Sequence, residues 1–135
     1  MIVVTTNEIP GYRVQAVLGE VMGLTVRSTN IGGSLTASLR SIGGGEIPEY
    51  TTIMYESRHE VMRRMVDEAV QRGANAIVAM RFDTGSVGQF SEVCVYGTAV
   101  VAEPIPAGEP GATGQSAHVA SGTAARSDAS TADGR

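Results

Sequence analysis

Lysine is absent from this chain: all ten of its basic residues are arginine. That excludes Schiff-base chemistry and the lysine of a phosphate-binding loop. Cysteine is almost absent too, and with Cys94 alone no disulfide can form within the chain. Only two histidines are present, His59 and His118, so a catalytic triad would have to be built around one of them. Positive charge is scarce overall: ten basic residues against fourteen acidic ones leave a net charge of -4. A nucleic-acid partner normally demands a basic surface, so none is expected. No apolar run is long enough to span a bilayer, so no membrane partner is expected either. The first residues, Met1-Ile-Val-Val-Thr-Thr-Asn7, show neither the basic nor the apolar part of a secretory leader. The expected location is the cytoplasm.

What is present is one domain's worth of chain. Its 135 residues are 42% apolar, and most of the apolar side chains precede residue 104. Ile2 to Thr5 reads as a short strand that ends at the Pro10-Gly11 turn. Tyr12 to Ser28 reads as a long extended segment, kinked at Gly19 and Gly23. Ser34 is a good N-cap for a short helix in which Leu35, Leu39 and Ile42 share one face. A long helix is expected from Pro48 to Arg72, with Ile53, Met54, Val61, Met65 and Ala69 along its apolar stripe. Its polar face carries Glu60–Arg64, Arg63–Asp67 and Glu68–Arg72 at helical spacing. Gly73 then allows a reversal into a strand at 74–82, apolar on both faces: Ala76, Val78, Met80 and Phe82 on one, Ile77 and Ala79 on the other. A hairpin loop is expected at 83–91 and a last strand at 92–102. From Pro104 to Arg135 the chain is mostly Ala, Gly, Ser, Thr and Pro, which predicts a disordered, dispensable tail.

Five segments together resemble the YbjQ-like family of small bacterial proteins, which carries a heavy-metal-binding label. They are Thr5-Thr6 with Ile9-Pro-Gly-Tyr12, Gly19-Glu-Val-Met-Gly23, Gly44-Gly-Glu-Ile-Pro-Glu-Tyr50, Gly73-Ala-Asn-Ala-Ile-Val78 and Tyr96-Gly-Thr-Ala-Val100. The similarity covers roughly residues 2 to 102 and none of the tail, so a domain is expected at 1–103 and a tail at 104–135. It implies an α+β protomer, dodecin-like, in which a small antiparallel sheet packs against one long and one short helix. It also implies assembly into a ring, a homopentamer, with no enzymatic activity assigned.

Three kinds of chemistry can be weighed on the residues themselves. A soft-metal site needs three or four ligands, and the usual spacings are missing. Cys94, which alternates on the last strand with the Val93/Val95 face and is expected as a small buried hydrophobe, and His59, on the polar side of the long helix, are the candidate ligands for a divalent heavy metal. A ring would allow one residue per chain to suffice at its axis. A small-anion or ligand pocket is the second option, where Arg27, Asn30, Ser34 and Arg40 surround a glycine-bearing helix start. Glu46 and Arg81 flank loops near the ends of the long helix and the third strand. An arginine in an apolar strand, as Arg81 is, is expected to pair with a carboxylate, across a subunit boundary or within the chain. Acid–base catalysis has no constellation to support it. The expectation is a non-enzymatic, self-assembling domain without a resident cofactor, serving as a ring scaffold or small-ligand binder. A heavy-metal-binding module and an enzyme with an inter-subunit site are the alternatives.

Overall fold

The computed structural model describes residues 1–28, 44–45 and 48–132. The chain runs β1 (Ile2–Val3), β2 (Tyr12–Ser28), α1 (Pro48–Gln71), β3 (Ala76–Val87), β4 (Phe90–Pro104) and α2 (Gly114–Ala132). The short helix read at 35–42 lies outside the described residues. The strands form one sheet in the order β1-β3-β4-β2. β4 pairs antiparallel with both neighbours, but β1 joins β3 in parallel through Ile2–Ala76 and Val3–Ile77. The sheet is therefore mixed, where an antiparallel one was expected. The reason is connectivity: α1 lies between β1 and β3 in the chain and carries it back to the same end of the sheet.

α1 covers one face. Val61, Met65 and Ala69, spaced for one helical stripe, are fully buried against Val21, Ile77, Val93, Val95 and Ala99. Contact is closest at Gly23, where a Cβ would stand 1.9 Å from the Val61 carbonyl oxygen. Only glycine lets the helix backbone lie this near the strand. A second, smaller core forms on the opposite face at the β1 end, where Ile9, Val4 and Tyr12 cover Ala76, Val78, Val100 and Ala102.

Lying so close to β2, α1 also reaches round its outer edge. Arg72 Nη1 donates to the Glu20 carbonyl at 2.7 Å, and Arg64 Nη1 to that of Leu24 at 2.6 Å. Between them the Met22 N–H donates to Glu68 Oε2 at 2.9 Å. The ion pairs read from sequence at Glu60–Arg64, Arg63–Asp67 and Glu68–Arg72 are all formed.

Three expectations are corrected. The loop placed at 83–91 is strand down to a tight turn at Gly88-Gln89: Val87 pairs with Phe90, and Gly88 supplies the positive φ at the first turn position. The simple alternation along β3 breaks at a bulge between Val78 and Arg81, with Ala79 at φ 54°. Val78, paired with Thr98, therefore faces away from α1, while Phe82, paired with Val95, faces it. The third correction concerns the tail. Ile105 is buried, with its N–H on the Gly11 carbonyl at 2.8 Å, and Ser116 is fully buried at the first turn of α2. Thr113 and Ser116 cap that turn reciprocally: Ser116 Oγ accepts from the Thr113 N–H, and Thr113 Oγ1 accepts from the Ser116 N–H. Ser116 Oγ also donates to the Ile105 carbonyl at 3.0 Å. Polar bonding holds this docked turn, which a composition argument based on apolar content does not register.

Candidate functional site

Cross-strand partners share a face, so the register places each candidate side chain. Cys94 is paired with Leu24 and Asp83, on the face turned away from α1. It alternates with Val93 and Val95 as expected: those two point to α1, and Cys94, expected to be buried, is half-buried behind them. Burial pushes its thiol pKa up, and the carboxylates of Glu92, Asp83 and Glu20 push it further. A metal-binding or nucleophilic cysteine needs the opposite, an environment that favours thiolate.

His59 lies on the exposed side of α1, its ring edge-on to Tyr55 at a centroid distance of 4.7 Å. The sheet separates it from Cys94, and His118 is exposed on α2. No three His, Cys, Asp or Glu side chains among the described residues could hold a metal ion together. The donors of a single protomer do not fit a soft-metal site.

Arg27, in β2 opposite Ser91, is half-buried. Its proposed companions Asn30, Ser34, Arg40 and Glu46 lie outside the described residues. Among the described residues, Arg81 makes no ion pair with a carboxylate. Its Nη1 donates instead to the carbonyls of Thr5 at 2.7 Å and Met80 at 2.8 Å. The bulge turns the Met80 carbonyl within reach, so the guanidinium fastens β3 to the segment after β1.

Sequence reasoning missed one arginine. Arg58 stacks over the Phe82 ring at 4.6 Å and overhangs a cleft of about 400 Å³ between α1 and the β3–β4 hairpin. Thr84, Ser86 and Ser91 contribute hydroxyls to the cleft. The signal was readable: Arg58 stands between Met54 and Met62, four residues from each, a charge set within an apolar row.

Exposed apolar side chains lie on Cys94's side of the sheet. Met22, Leu24 and Val26 of β2 and Tyr96 of β4 are 45%, 41%, 57% and 40% exposed on the face turned away from α1.

Comparison with known proteins matches this architecture. A family model described as "Putative heavy-metal-binding" (YbjQ) matches residues 1–103. The chain belongs to the YbjQ-like family. A UPF0145 protein of Acidothermus cellulolyticus is 57% identical over 100 residues, covering 73% of this chain and 93% of that protein. Another, from Mycobacteroides abscessus, is 55% identical over 106 residues, covering 78% and 99% respectively. The relation extends to an archaeal UPF0145 protein from Picrophilus torridus, at 47% identity over 78% of this chain and 90% of its own. Among solved structures, a protein of unknown function of the DUF74 family from Pediococcus pentosaceus shares the fold. It has a TM-score of 0.51 and 15% identity, covering 75% of this chain and 96% of its own. Among the described residues, no helix is long and apolar enough to cross a membrane.

Proposed function

We propose that this domain is a non-enzymatic, self-assembling scaffold of the cytoplasm, whose copies meet through the face of the sheet turned away from α1. One observation carries the reading: α1 shields only one face, and Met22, Leu24, Val26 and Tyr96 stand open on the other. Contiguous apolar side chains on the surface of a small domain mark a contact site. A second copy is the natural cover. The YbjQ-like relatives are scarcely longer than the matched region, 93% and 99% of two of them being aligned, so they bring little further chain of their own to lie there. A closed ring satisfies such a face without open-ended growth, and the family resemblance supplies five as its number.

The test is sedimentation equilibrium at micromolar concentration. The wild type sediments as a closed oligomer, and Met22→Glu with Leu24→Glu reduces it to a folded species near the 14.0 kDa of one chain. A wild-type monomer across the concentration range overturns the scaffold reading.

Heavy-metal binding is the second reading, favoured by the position of Cys94 on that same open face. One protomer offers a single soft ligand there, so binding would require thiols from several copies. Cadmium–thiolate absorption that disappears in the Met22→Glu, Leu24→Glu variant is the expected sign.

A further inference from the structure

β2 is the last strand on its side of the sheet and is 17 residues long, a template on which another strand could pair. Three of its outward-facing groups in the middle are nevertheless occupied. Glu20 offers a carbonyl, Met22 an N–H and Leu24 a carbonyl, and they meet Arg72, Glu68 and Arg64 in turn. The donor and acceptor order is that of a neighbouring strand: each carbonyl receives a guanidinium N–H, and the N–H receives a carboxylate.

The spacing explains why a helix can do this. Four helical residues rise about 6 Å, and two strand residues about 6.8 Å. Side chains at 64, 68 and 72 therefore keep step with backbone groups at 24, 22 and 20 when α1 runs antiparallel to β2. The Gly23 contact sets the helix close enough, and the ion pairs Glu60–Arg64 and Glu68–Arg72 hold the arginines in their rotamers.

We infer that Arg64, Glu68 and Arg72 act as a surrogate fifth strand that closes the β2 edge to strand addition by a second copy of this chain. The ladder directs association to the open face and keeps it finite. In this respect the inference rests on the self-assembly reading, but its test reads the edge itself.

The Met22 amide is the reporter. In dilute Glu68→Ala protein, its hydrogen exchange accelerates about tenfold or more relative to wild type. In the Arg64→Ala, Glu68→Ala, Arg72→Ala variant, rising concentration produces a broad series of larger assemblies, and the Met22 amide becomes protected again. Arg63→Ala, which removes ion pairs from the same helix without touching the strand, keeps the wild-type size distribution. Adding Met22→Pro to the triple variant removes the outward N–H and restores finite assemblies. If the triple variant does not fold, Glu68→Ala alone carries the exchange measurement. An unchanged exchange rate in Glu68→Ala overturns the proposal. So does a folded triple variant with a rapidly exchanging Met22 amide that gains no mass at any concentration. A wild type that is monomeric throughout sinks the scaffold reading alone, because amide exchange and variant growth are both measured against it.

Discussion

The two faces of the β2–β4 pair are built from alternate residues of the same strands, yet they meet opposite fates. On one side Val21, Val93 and Val95 are buried under α1, and Gly23 gives up its side chain so that the helix can approach. On the other, Met22, Leu24 and Tyr96 are equally able to be buried and remain half open. The difference lies in what the protomer provides as cover. Hydrophobicity along a strand records that both faces are to be buried, without recording whether a helix or another molecule buries them.

Substitutions on the two sides should therefore separate sharply. Met65→Ala, in the centre of the covered face, should cost about 3–4 kcal/mol of unfolding free energy, because a large side chain leaves a cavity in a dense core. Denaturant melts measure this, and a loss below about 1 kcal/mol would mean the helix packs elsewhere. Gly23→Ala follows at about 3 kcal/mol, since the added methyl collides with backbone rather than with a side chain that can turn aside. Gly11→Ala probes the docked turn. Its φ of +81° and the 2.5 Å from the new Cβ to Thr113 Oγ1 should together cost about 1–2 kcal/mol and free α2 to limited proteolysis. Leu24→Ala, on the open face, should change unfolding of the dissociated protomer by no more than about 0.5 kcal/mol while weakening association.

The smallest expected effect is electrostatic. Hydrogen bonds from Arg63 and then Arg64 lower the Glu60 pKa from its ordinary 4.5 to about 2. A carboxylate whose folded pKa is depressed stabilises the fold above its unfolded pKa and loses that contribution as pH falls through the folded value. The contribution is fully present above about pH 5 and declines towards pH 2. Glu60 sits at the surface, so salt screens most of it. A side-chain NMR titration should find its midpoint well below that of an ordinary glutamate, and Arg63→Ala should raise it. An unshifted midpoint would show that the α1 ion pairs do not persist in solution.

How far the sequence could be read follows the same physics. α1 was legible because Val61, Met65 and Ala69 repeat at helical spacing and Glu–Arg pairs mark its outer side. The irregularity of β2 was legible at Gly19, where the register shifts, but Gly23 lies in unbroken register, and the helix contact behind it depends on a partner 38 or more residues away. The far end of the β3–β4 hairpin was misread because Thr84-Gly-Ser86 has the composition of a loop, and only backbone pairing to Ser91–Val93 makes it strand. Cys94 was expected to be buried and is only half-buried, because local alternation gives two sides but not which side a helix will take. Arg81 was expected to find a carboxylate. The bulge at Ala79, invisible in composition, gave it carbonyl oxygens instead. The docked turn at Thr113–Ser116 escaped because two hydroxyls and a backbone carbonyl secure it.

The strand order has a consequence for biosynthesis. β2 is complete at Ser28, but its partner β4 begins only at Phe90, so during translation the longest strand of the sheet emerges well before its neighbour exists. Such non-local pairing is slow to form and exposes nascent chain to wrong encounters in the meantime. α1 is synthesised in that interval, and everything it needs to grip β2, from Gly23 to Arg72, has left the ribosome before β3 begins. The helix can therefore serve the nascent strand as a built-in chaperone, holding it singly until the hairpin of β3 and β4 arrives to complete the sheet.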